Sequence, residues 1–133
     1  MHTEPNLRRH PRVTLYESAR YITGLRQQIH ADLLNVSVSG LALLTDRALP
    51  VGEVFDVSFV LPNPVGLDHR IFASARVRHS RHERHRMAHA NGLEFEGLDE
   101  ETRSVLEDFV DRETSSGQEG NASDAADPMG VAS

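Results

Sequence analysis

Two short stretches carry residue types able to hold a charged, hydrogen-bonding ligand. The first is Arg8-Arg9-His10-Pro11-Arg12. Pro11 disfavours helix at His10, so the stretch is expected to run extended, where residues four apart project to one side ~13 Å from each other at ~3.3 Å per residue. Arg8 and Arg12 would then be a pair of guanidinium forks facing one way, with Arg9 facing the other. A guanidinium grips a phosphate, or the O6/N7 edge of guanine, through two parallel hydrogen bonds. The second stretch is Asn35-Val36-Ser37-Val38-Ser39-Gly40. Asn35 and Ser37 are expected to share a face at a strand end, opposite Val36 and Val38, and Gly40 to permit the backbone turn after them. An amide offers donor and acceptor together and a hydroxyl rotates to suit, which equips the pair to read the edge of a base.

Two other groupings have suitable residue types but not the geometry. His79, His82, His85 and His89 are spaced as helical metal ligands would be, but they fall in a segment linking two predicted strands. Odd spacings there throw His79 and His82 to opposite faces, and only Glu83 is at hand to complete a site, so a solvated basic hairpin is expected and no metal. Ser37 with His30 and Asp32 has the composition of a hydrolytic triad. No nucleophile elbow and no separately anchored third group accompany them, so no catalytic residue is assigned and no enzyme is expected.

The elements that must position these residues are read from period-two alternation between turn signals. Phe55, Val57, Phe59 and Leu61 alternate with Asp56, Ser58 and Val60, and Ile71, Ala73, Ala75 and Val77 alternate with Phe72, Ser74, Arg76 and Arg78. Val13, Leu15, Ala19 and Tyr21 mark an earlier strand broken at Glu17, and Ile29, Ala31 and Leu33 another. Leu41–Thr45 and Gly92–Glu96 complete six. Thr23-Gly24 is placed at a turn wanting positive φ, with loops at Pro50-Val51-Gly52 and over residues 62–66. Six short strands in series predict an antiparallel barrel or sandwich. One helix comes next, capped by Asp99 and charged favourably at its start by Glu100 and Glu101; its stripe of Val105, Leu106, Phe109 and Val110 is expected to dock on the strands.

The chain of 133 residues fits a single domain with a tail. Residues 1–7 are expected to be flexible, 8–112 to form the domain, and 113–133 to be a disordered acidic tail that solubilises the chain or competes for the arginine arm. Cysteine is absent, which removes disulfides, thiolate nucleophiles and cysteine-ligated metals. No apolar run suits a membrane span or a secretory signal, so membrane insertion is not expected and the cytoplasm is the expected location. All 14 basic residues are arginine against 20 acidic ones, a net charge of −6. Residues 1–90 hold 12 Arg and 8 Asp/Glu, a balance of +4, while residues 91–133 hold 2 Arg and 12 Asp/Glu, a balance of −10. A net acidic chain is a poor general nucleic-acid binder, but local arginines can still hold a small anion.

An Arg-x-x-x-Arg arm with an Asn-x-Ser-x-x-Gly turn some twenty residues later resembles the PilZ family, bacterial receptors for the second messenger cyclic di-GMP. The likeness extends over roughly residues 6–112 and includes the Gly92-Leu93-Glu94-Phe95 strand and the Leu98-Asp99 helix start. It implies an all-β fold, a six-stranded antiparallel β-barrel with a C-terminal α-helix. It also implies a binding site without catalysis, needing no cofactor or metal beyond the ligand itself. Arg8 and Arg12 would wrap over cyclic di-GMP, with Arg9 as a helper, while Asn35, Ser37 and Gly40 contact a guanine from the barrel surface. Ligand would order the arm and so signal to a downstream protein partner. Leu7 stands just before the first signature arginine and cannot offer a fork to a second, stacked nucleotide, so one cyclic di-GMP per chain is expected. The alternative is a PilZ-fold adaptor working through protein contacts without nucleotide, although such adaptors usually lack the arginine pair. A barrel tracking a nucleic-acid polymer should carry aromatic stacking platforms, yet the two Tyr and five Phe mostly occupy core positions, so no such polymer is expected as a partner.

Overall fold

The alternating pattern folds into six strands that close on themselves. A computed structural model describes residues 10–121. The strands are β1 (Val13–Ile22), β2 (Gln28–Val36), β3 (Gly40–Thr45), β4 (Val54–Leu61), β5 (His69–Glu83) and β6 (Ala88–Glu96), and α1 (Glu100–Asn121) comes after them. They form a closed barrel in the order β1-β2-β3-β6-β5-β4, with every neighbouring pair antiparallel. Closure gives every strand two neighbours and so shortens the edges that could template aggregation, although β1 meets β4 only over Ala19–Ile22 and β5 meets β4 only as far as Arg76.

The inward residues are those the alternation marks. Phe55, Val57, Phe59 and Leu61 of β4 and Ile71, Ala75 and Val77 of β5 are buried, together with Leu33, Val36, Leu41, Leu43 and Leu93 from the other strands. Leu106, Phe109 and Val110 of α1 join the same core, and Val105 packs against it. The helix starts where expected: Asp99 Oδ1 accepts the backbone N–H of Thr102 at 2.7 Å, satisfying one of the donors a helix start leaves over. Asn91, unmarked by any pattern, is fully buried and ties the middle of the barrel. Its Oδ1 accepts from Leu49 N (3.1 Å), and its Nδ2 donates to Thr45 Oγ1 (2.7 Å) and to the carbonyls of Leu43 and His89 (3.2 Å each).

Four features depart from the reading of the sequence. β1 is continuous through Glu17, because a bulge between Thr14 and Glu17 absorbs the break in alternation. In the β1–β2 turn the positive φ belongs to Arg26 (65°) and not to Gly24, and the Thr23 hydroxyl accepts the N–H groups of Leu25 and Gln27 at 3.2 Å each. β5 runs on to Glu83, so His79 and His82 are strand residues, and His82 stands directly opposite His89 with ring centroids 5.0 Å apart. The helix continues past Arg112 to Asn121, so the boundary expected at 112 falls inside it; residues 122–133 lie outside the described residues. Propagation from a docked stripe adds one hydrogen bond per residue fixed, and the Thr114 hydroxyl donates back to the Val110 carbonyl at 2.7 Å. Among the described residues no helix is long and apolar enough to cross a membrane.

Two carboxylates at the β6–α1 junction make stability depend on acid. The hydrogen bond and charge of Arg76 hold Glu96 below its ordinary value of 4.5, and the backbone N–H of Thr102 holds Asp99 below its ordinary 3.8. A depressed native pKa contributes stability that is complete above the unfolded value and is lost as pH falls through the native one. The urea midpoint is therefore expected to decline as pH falls below the ordinary carboxylate range, and Glu96→Gln to flatten that decline. A midpoint indifferent to pH in both proteins would contradict this.

Candidate functional site

The two chemical stretches meet at the open end of β2. Arg12 precedes β1, and its Nη1 donates to Asn35 Oδ1 at 2.8 Å across 23 residues of sequence. A β-bulge makes this possible. Leu33 pairs with Leu43 and Asn35 with Ala42, so β2 carries one extra residue between them. Strict alternation from the buried Leu33 would turn Asn35 into the core. The bulge turns it outward and turns Val36 in, where Val36 is fully buried. Arg12 and Asn35 are brought together; Arg8 and Arg9 lie outside the described residues.

Ser37 does not share Asn35's outward face. It is fully buried, and its hydroxyl works inside the turn. Ser37 Oγ accepts the N–H groups of Ser39 (3.1 Å) and Gly40 (3.2 Å) and lies 3.0 Å from Ser39 Oγ, while Ser37 N donates to the Gly40 carbonyl at 2.8 Å. A hydroxyl so engaged shapes the turn that follows Asn35. The expectation that it stands beside Asn35 does not hold, because alternation stops at the last strand residue.

Gly40 is needed, but for a different reason from the one expected. The described glycines with positive φ are Gly52 and Gly97, so no special turn conformation is at stake at Gly40. A Cβ built there would instead lie inside the van der Waals envelope of the Leu93 carbonyl oxygen and 3.2 Å from Glu94 Cα. The residue lets β3 pack flush on β6 at the place where Gly40 pairs with Glu94. Next to this turn a shallow cavity of about 180 Å³ is lined by His10, Val38, Ser39, Glu94, Leu98 and Arg103 among others. The Glu94 carboxylate that borders the cavity is paired with Arg78 at 2.6 Å, which moderates its repulsion of an anion.

Among the described residues no group of three or more His, Asp or Glu side chains gathers as a metal site. His30 Nε2 and Asp32 Oδ1 are 3.4 Å apart on the exposed face of β2, whereas the Ser37 hydroxyl is held in its turn.

Comparisons with known proteins agree with this architecture. The chain shares 18% identity with the Bacillus subtilis inhibitor of motility MotI/DgrA at a TM-score of 0.74, covering 84% of this chain and 53% of that one. The K. pneumonia MrkH–c-di-GMP complex matches at 14% identity and a TM-score of 0.68, covering 86% and 55%. The PilZ domain of YcgR from Escherichia coli with c-di-GMP matches at 12% and 0.61, covering 85% and 95%. The chain thus spans about half the length of MotI/DgrA and of MrkH, and at these identities the likeness is one of fold. No relative among the curated proteins matches at a significant level. The family model of the PilZ domain matches residues 6–112, a stretch that holds the arginine arm, the Asn35–Gly40 turn, the whole barrel and the docked part of the helix, and the chain belongs to that family.

Proposed function

We propose that the protein is a cyclic di-GMP receptor whose arginine arm closes over the nucleotide. The observation that carries this reading is the 2.8 Å contact between Arg12 and Asn35, which sets a guanidinium fork and an outward amide side by side on the barrel wall. Those are the groups that recognise a guanine edge and a phosphate together. Two of the structural neighbours were solved with c-di-GMP, which supports the same ligand class here. Arg8 and Arg9 join Arg12 from the arm, Asn35 reads the base, and Ser37 and Gly40 hold the turn that aims Asn35. Binding requires no cofactor and no chemistry on the ligand. Its energy goes into ordering the arm, and the changed surface is what a downstream protein recognises.

Isothermal titration calorimetry of the full chain with cyclic di-GMP is the direct test. A saturable isotherm with one nucleotide per chain is expected, because Leu7 has no guanidinium for a second. Two per chain would refute the stoichiometry, and a flat isotherm would refute the receptor and favour an adaptor that works by protein contact alone.

A further inference from the structure

The outward face of the barrel continues beyond Asn35 in a row that the motif does not include. Thr14, Asn35, Ala42, Gly92 and His79 stand opposite one another in successive pairs across β1, β2, β3, β6 and β5. Their chain neighbours Val36, Leu41, Leu43, Asn91 and Leu93 are buried, so the row itself points outward. Its middle is small: Ala42 and Gly92 leave a low floor between the Arg12–Asn35 pair and β5.

His79 reaches this face because of another bulge. Val77 pairs with Leu93 and His79 with Gly92, so Arg78 is the extra residue. Without it, Arg78 would stand opposite Gly92 and His79 would turn inward. The imidazole lies over Gly92: a Cβ built there would fall 2.6 Å from His79 Cε1 and 2.9 Å from Cδ2, with Nε2 nearer still. Gly92 is buried although it points outward, because the ring covers it. From Asn35 to Gly92 is two strand spacings, ~10 Å. That strip, floored by Ala42, is wide enough for one flat ring system between the amide and the imidazole.

We infer that His79 is the far wall of the nucleotide seat, packing its ring against a guanine that lies over Ala42 and faces Arg12 and Asn35. The inference rests on the receptor reading and adds a contact residue on β5, outside both signature stretches. Gly92 acts through His79, since the missing Cβ is what lets the imidazole lie down on the floor.

The test is calorimetric titration of the full chain with cyclic di-GMP, using His79→Ala, Gly92→Ala and the double variant, with Arg12→Ala alongside. His79→Ala is expected to weaken binding about fivefold to about a hundredfold, the range for removing one aromatic contact to a base. Gly92→Ala should weaken binding to the same extent by displacing the ring, and the double variant should weaken it no further. The exposed His79 can be removed without unfolding the barrel, and equal thermal midpoints for native and His79→Ala protein confirm that binding is what changed. Native affinity in His79→Ala beside weakened Arg12→Ala would overturn the role of His79 and leave the receptor standing, as would additive effects in the double variant. A native chain that takes up no nucleotide overturns both.

Discussion

If the receptor reading holds, Arg12→Ala is expected to lower the affinity for cyclic di-GMP by about tenfold to about a thousandfold, with the barrel still folded. The size reflects the chemistry of a guanidinium on an anion: hydrogen bonds to a charged group contribute about 1.5–3 kcal/mol each, and one fork can make two. A second component adds to it. Arg12 Nη1 donates to Asn35 Oδ1 at 2.8 Å, so removing the guanidinium would also release the amide proposed to read the base. Arg12→Lys keeps the charge but gives up the planar fork, and it should recover only part of the affinity. Calorimetry on the three proteins at one salt concentration decides the matter, because electrostatic attraction alone would make lysine nearly as good as arginine. Equal affinity in native and Arg12→Ala protein would remove Arg12 from the site, and with it the reason for pairing the arm with the turn.

The fold is legible in the sequence because burial in a barrel is written as alternation, and each of the strand cores Phe55–Leu61 and Ile71–Val77 carries a full period-two run of apolar residues. The helix is legible from its cap and stripe, both local in sequence. The effect of bulges is not. Each of the shifts at Thr14/Glu17, Leu33/Asn35 and Val77/His79 inserts one residue and reverses the facing of the residues after it, and no residue type announces it. Type and order are therefore enough to find the motif residues, whereas their roles depend on facings that alternation misassigns. Asn35 faces outward only because of its bulge, Ser37 is buried beyond the last strand residue, and His79 belongs to the barrel wall instead of a solvated hairpin. For His79 one signal is present: a glycine inside a strand, as at Gly92, marks a close approach by another group.

Gly40→Ala should cost roughly 1–3 kcal/mol of stability, the usual range for overpacking a well-fitted site, and lower the melting temperature by about 4–12 °C. The added Cβ meets the backbone of Leu93 and Glu94, which cannot rotate aside, so β3 and β6 must separate at the end where Ser37 N bonds to the Gly40 carbonyl. The same substitution has other consequences elsewhere in the barrel. At Gly24 a Cβ meets nothing within 4 Å and φ is not in the left-handed region, so Gly24→Ala should leave stability unchanged or raise it slightly through the unfolded chain. At Gly92 the obstacle is the tip of the His79 ring, which can swing away, so stability should change little while affinity falls. Three glycine-to-alanine changes in one barrel are thus expected to give a large fall in stability, none, and a fall in binding alone. Thermal melts set Gly40→Ala apart and calorimetric titration with cyclic di-GMP sets Gly92→Ala apart from Gly24→Ala, and a Gly40→Ala protein melting with the native one would show that the strands do not approach at β3–β6 as closely as the turn requires.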